Sequence, residues 1–168
     1  VTDDVPWHFS EDPTITRFEP HVPATNPEMP PMVWAIDDEH APAYWFPRQC
    51  PRITFWSADG SPPSALGPTA SHRVHAVEAG WLGAMHTTVL YAYRFDPSTF
   101  EPWDSADGHL VSRVAVEPMS VDPVGDLVAR HADEGIELRL VRDLRPLRDA
   151  VIDSGYRFSM IRLRNAGL

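Results

Sequence analysis

Apolar and polar residues alternate in short stretches along most of this chain, most strongly where β-branched and aromatic side chains cluster. Val5 to Ser10 is short and aromatic and predicts a first strand, which Pro13 cannot continue. Met32 to Ile36 (MVWAI) predicts a second. Asp37 and Asp38 follow as caps of a short helix through His40, Ala41, Tyr44 and Trp45 that Pro47 stops. Arg52 to Trp56 (RITFW) and Arg73 to Val77 (RVHAV) predict two more strands, the second leading into a short helix through Trp81 and Met85. Thr87 to Phe95 (TTVLYAYRF) is the clearest strand of the middle of the chain. From His109 to Val121, Val114 and Val116 alternate with Arg113 and Glu117 until Pro118 interrupts, predicting a strand that carries both charged residues on one face.

After this the period changes. Asp122-Pro123 reads as an N-cap and first-turn proline, Val124, Leu127, Val128 and Ala132 form an apolar stripe, and Gly135 stands where a C-cap glycine belongs. Ile136, Leu138 and Leu140 then alternate with Glu137 and Arg139 as a half-buried strand. Leu144 to Ser154 predicts a helix ended by Gly155, and Phe158 to Arg164 a closing strand. Thirteen of the eighteen prolines precede residue 70, so the first part must consist of short strands and ordered loops, with 58–71 an exposed loop. The pattern predicts one α+β domain over residues 1–168, a mostly antiparallel sheet with short helices.

Composition narrows the chemistry. At 168 residues, with 43% hydrophobic and 23% charged, the chain suits one globular domain, and no apolar run approaches the roughly 20 residues of a membrane span. All fourteen basic residues are Arg and none is Lys, which removes Walker-type phosphate loops, Schiff bases and Ser-Lys dyads. The net charge of -10 opposes bulk nucleic-acid binding. Seven of the arginines nevertheless fall in the last thirty residues beside only Asp143, Asp149 and Asp153. That segment is either a local site for a small anionic ligand or a pair of solvated, ion-paired faces. The single cysteine, Cys50, forms no internal disulfide, and VTDDVPWHF lacks a basic region followed by an apolar one, so a cytoplasmic location is expected.

Candidate site residues are few. Alternation puts His8 and Ser10 on one strand face and Trp7 and Phe9 on the other, expected to be buried, so two polar groups are set to meet the hydroxyls of a ligand. The competing reading is a satisfied strand histidine beside a turn serine. Arg113 and Glu117 are either an ion pair or a phosphate holder and a carboxylate that stabilises oxocarbenium-like charge. Tyr44 is core or the wall of a planar ring. No metal site is expected, because of the eight histidines only His72 and His75 lie close together in sequence and no H-E-x-x-H occurs. No G-x-S-x-G is present, and Cys50 has no visible activating neighbour.

The blocks WHFSEDPTITRFEP, VWAIDDEHAPAYWFPRQCPRITFW, EPMSVDPVGDLVARHADEGIELRL and FSMIRLRNA resemble a family of small conserved bacterial proteins of unassigned function. A second resemblance is to the ADP-ribosyltransferase and RNA 2'-phosphotransferase superfamily. There a first strand carries His followed two positions on by Thr or Ser, a second strand leads to a helix bearing an aromatic, and a late strand contributes Glu or another polar residue. His8-Phe9-Ser10 is similar to the first, Val33 to Ile36 leading to Tyr44 to the second, and the segment holding Ser112, Arg113 and Glu117 to the third. Phe9 stands where glycine is common in that superfamily. The resemblance implies an ADP-ribosyltransferase-like fold with NAD as substrate, His8 and Glu117 catalytic, and Ser10, Tyr44 and Arg113 binding the ligand. It leaves open which of Ser112, Arg113 and Glu117 acts. The alternative is a non-catalytic module that binds a protein or a small ligand, its aromatic, proline-rich half packing on a partner.

Overall fold

The computed structural model describes residues 4–24 and 26–167. Among these residues the architecture is α+β, with two sheets, mostly antiparallel, and three short helices. The chain divides into two compact units, each made of two separate stretches: 1–45 with 89–124, and 46–88 with 125–168. Charge divides with them. The first unit holds three arginines and fifteen carboxylates, a net of -12, and the second holds eleven arginines and nine carboxylates, a net of +2.

The first unit is an antiparallel sheet of β1 (Trp7–Ser10), β2 (Val33–Ile36), β5 (Tyr91–Arg94), β6 (Phe100–Pro102), β7 (His109–Ser112) and β8 (Ser120–Pro123), in the spatial order β6-β7-β2-β1-β5-β8. Directly opposed residues of an antiparallel pair share a face, so the register assigns the faces. His8 opposes Tyr93 and Ser10 opposes Tyr91, while Ala35 opposes Leu110 and Val33 opposes Ser112. This is the core face: Val33, Ala35, Tyr93, Phe95, Phe100, Leu110 and Val116 are buried together, with Phe18 and Tyr91 packed against them. The expectation that the Trp7 and Phe9 face is the buried one is therefore reversed.

Two further expectations for this half are corrected. The strand read over 109–121 ends at Ser112, whose Oγ accepts the N–H of Val114 and turns the chain out of the ladder. After a single bridge of Val116 to Phe18, a strand forms again at Ser120, in β8, which pairs with β5 and not with β7's neighbours. Asp122 and Pro123 belong to β8 and do not start a helix. The helix after Asp37 is a single 3-10 turn, Ala41–Tyr44, with Ala41, Pro42 and Ala43 buried.

The second unit is a sheet of β3 (Arg52–Trp56), β4 (Arg73–Glu78), β9 (Glu137–Val141) and β10 (Arg157–Ile161), ordered β10-β3-β4-β9, with β4 and β9 parallel. One face carries Ile53, Phe55, Val74 and Ala76. It packs under helix α3 (Arg145–Ser154) through Leu144 and Val151, and Gly155, at φ 77°, ends that helix in the left-handed conformation its missing Cβ permits. The other face carries Arg52, Thr54, His75 and Val77, all buried, unusually polar for a sheet interior. Helix α1 (Leu82–Thr87) follows β4, with Met85 its buried residue. Helix α2 (Leu127–Asp133) is capped by Asp126, which accepts the N–H of Ala129 at 2.9 Å. The cap thus lies four residues later than the sequence suggests, because an aspartate with a helical turn directly behind it satisfies orphan amides that a strand-bound Asp122 cannot reach.

Candidate functional site

His8 sits on the core face of β1, its ring edge-on to Phe18 at 4.9 Å and to Tyr93 at 6.4 Å, with Nδ1 at 3.4 Å from the carbonyl oxygen of Trp34. Ser10, 8% exposed, accepts the N–H of Asp12 through Oγ at 3.1 Å, holding the turn that follows the strand. Phe18 links this region to the late segment, since its backbone pairs both ways with Val116, one residue before Glu117. Glu117 itself is exposed, with Arg17 at 3.4 Å, and Arg113 is exposed and pairs with Glu101 at 3.1 Å. Arg113 and Glu117 therefore lie beyond the end of β7 and pair with different partners.

Tyr44 lies elsewhere in the same unit. Its ring is nearly parallel to Phe9, 6.4 Å away with an interplanar angle of 10°, and so belongs with the opposite face of β1 from His8. Its hydroxyl meets Nε2 of His109 at 2.9 Å. Nδ1 of His109 lies 3.0 Å from the carbonyl oxygen of Asp107, an acceptor only, so Nδ1 carries the proton and the bare Nε2 accepts from Tyr44. Burial, and the nearby His40, push the His109 imidazole below its ordinary range.

Around this pair stand residues from distant parts of the sequence. Asp37 Oδ1 accepts both the backbone N–H and the Nδ1–H of His40, each at 2.8 Å, with both side chains under 20% exposed. The backbone of Gly108, at φ 70°, packs so closely on the His40 ring that a Cβ there would come within 2.3 Å of Nδ1. Trp34 lies edge-on to Trp103 at 5.5 Å and to His109 at 6.2 Å, and its buried indole N–H has no partner among the described residues. Trp7 donates its indole N–H to Asp38. Tyr44, Trp34, Trp103 and His109 are all half-buried, so the cluster reaches the surface. The density of tryptophan, tyrosine and histidine around 34–44 and 103–109 was the only sequence signal for it.

In the second unit an open groove of about 510 Å³ is lined by Glu78, Gly80, Trp81, Ala84, Arg142 and Gly167. The Glu78 carboxylate accepts the N–H of Leu144 at 3.2 Å and that of Gly167 at 2.9 Å. Most arginines of the basic C-terminal segment are engaged locally. Arg139 pairs with Glu137 and reaches the Leu66 carbonyl, Arg145 pairs with Asp143, Arg148 with Asp149, and Arg162 donates to the Arg48 carbonyl. Arg145 holds the Asp143 carboxyl at about 2. Burial drives the Cys50 thiol up to about 12, so it is no nucleophile at neutral pH. Among the described residues no three His, Cys, Asp or Glu cluster as a metal site, and no helix is long and apolar enough to cross a membrane.

These features define an α+β protein with an aromatic, histidine-bearing surface cluster on an acidic sheet unit and a second, arginine-rich sheet unit. The chain belongs to DUF6886, a family of unknown function, whose profile matches residues 7–166. Comparison with curated proteins and with solved structures gives no match.

Proposed function

We propose that the first unit binds a small ligand with a planar ring, NAD being the representative to test first, with Tyr44 as the wall against which the ring stacks. The observation that carries this reading is the Tyr44–His109 hydrogen bond with Phe9 stacked behind Tyr44: the phenol is held from two directions while the residue stays partly exposed. The nicotinamide ring of NAD is cationic, which suits an electron-rich phenol in a unit of net charge -12. The Asp37–His40 pair supplies polar groups at fixed positions beside it.

ADP-ribosyl transfer is the finer reading, and its support is the order of His8-x-Ser10, Tyr44 and Glu117 along the chain together with the Phe18–Val116 pairing between the first and last of them. In that chemistry His8 and Ser10 position ribose, Arg113 meets phosphate and Glu117 stabilises positive charge at the anomeric carbon, a site on the face of β1 opposite Tyr44 and therefore separate from the stacking wall.

Calorimetric titration of NAD, ADP-ribose and nicotinamide separates these readings. Tyr44→Ala is expected to weaken binding by about tenfold or more and Tyr44→Phe by less. Transfer is read from nicotinamide release, where Glu117→Gln is expected to lower turnover on the order of 10²-fold with affinity retained. Absence of binding at millimolar concentration overturns the ligand reading and leaves the protein-interaction module. Binding without turnover overturns only the transfer step.

A further inference from the structure

In the second unit, two histidines outside the proposed ligand site form a closed pair in the polar interior. His75, on β4, is 0% exposed and His131, on α2, is 1% exposed. Nε2 of His131 and Nδ1 of His75 are 2.9 Å apart, and Nδ1 of His131 is 2.6 Å from the carbonyl oxygen of Leu127. The carbonyl only accepts, so Nδ1 of His131 carries a proton. Its Nε2 is then bare and accepts from Nδ1–H of His75, which leaves Nε2 of His75 bare as well. That last nitrogen is buried and has no partner among the described residues. The Phe46 ring packs on both imidazoles, at 5.7 and 4.9 Å.

This chain of donors is complete in one protonation state. An added proton must go to Nε2 of His75, creating a buried cation whose N–H meets no acceptor, or to a nitrogen already in the chain, breaking a link. The surroundings do not compensate. β3 contributes Arg52 and the neutral Thr54, β4 contributes Arg73, and β9 contributes Leu138. Glu78 alternates to the other face of β4 and is occupied by backbone amides, and Asp126, at the start of α2, is turned to His86. Leu127 and His131 are the buried residues of α2, so the pair is half of what docks this helix.

We propose that the His75–His131 pair is an acid-sensitive latch: neutral, it fastens α2 to β4, and on protonation α2 releases while the α3 side of the sheet stays folded. A free helix of seven residues does not hold its shape in water, so release also melts 127–133. Burial holds both imidazoles below the ordinary histidine range, and His75 lies lower still because of His131 and the two arginines. The released segment takes up protons that the docked one refuses, so release is favoured as pH falls below about 6.5.

The test is hydrogen exchange of the whole chain, corrected for intrinsic rate, with the amides of α2 compared with those of α3. Between about pH 7.5 and pH 5.5, opening of α2 is expected to increase by about tenfold for each histidine that titrates, while α3 changes little. In His131→Leu the pH dependence of α2 should fall to the share of His75 alone, and in the variant that also carries His75→Leu it should vanish. If either variant does not fold, ¹⁵N shifts of the two imidazoles in the wild-type protein decide: they should stay neutral while α2 is protected. Uniform loss of protection in α2 and α3, a flat α2 profile, or protonation of either ring with α2 still docked overturns the proposal.

Discussion

Tyr44 donates its hydroxyl proton to Nε2 of His109, two residues far apart in sequence that β7 and the 3-10 turn after β2 bring to 2.9 Å. The bond fixes the tautomer of one ring and the position of the other. Tyr44→Phe should therefore cost about 1 kcal/mol, the net value of one partly buried hydrogen bond, with the sheet intact by circular dichroism. A denaturation midpoint equal to wild type would show that the hydroxyl has no structural role.

Gly108→Ala is expected to be far more damaging than its size suggests. The residue is at φ 70°, and an added Cβ would strike the His40 ring, which Asp37 holds in place. Strain and displacement together should cost about 2 kcal/mol or more, and the Nδ1–H resonance of His40 should lose its hydrogen-bonded shift. An unshifted resonance in the alanine variant would mean that the Asp37–His40 pair does not depend on this contact.

Glu78 is a buried carboxylate that backbone amides of Leu144 and Gly167 donate to. Glu78→Ala strands those donors and should destabilise the second unit by about 2–3 kcal/mol, whereas Glu78→Gln keeps one acceptor oxygen and should cost less. Equal losses in the two variants would assign the effect to packing.

His109, like His75 and His131, has its imidazole held below the ordinary range, chiefly by burial. A folded state that refuses a proton the unfolded chain accepts loses stability as pH falls below about 6.5 and is unaffected above it. Stability measured by denaturant from about pH 8 to pH 5 should fall toward acid, and His109→Asn should flatten the slope by up to one proton. An unchanged slope would show that His109 protonates without leaving its site.

Where chemistry along the chain decided the local structure, the sequence was readable. RITFW forms β3 over the residues its β-branched and aromatic side chains mark, and Gly155 ends α3 as a C-cap glycine should. The α+β class followed from those elements. Misreadings came where two local signals competed: Asp122-Pro123 has the form of a helix start, but β5 pairs with it and Asp126 supplies the cap. Faces were harder still. Alternation separates His8 from Phe9 but does not say which side the core takes, and here it takes the side of His8. Pairings such as Tyr44 with His109 or His75 with His131 carry no local signature, since each residue's neighbours in sequence say nothing of a partner on a distant strand or helix.

The chain passes between its two units three times, and this has a consequence for how it can be made and divided. β3 and β4 emerge from the ribosome before β5, yet the parallel partner of β4 and the outer neighbour of β3 are β9 and β10, synthesised last. Until then β4 presents an open, largely apolar edge, the kind that recruits strands from other chains. No single cut in the sequence separates one whole sheet from the other, so neither sheet can be produced alone as one continuous piece of this chain.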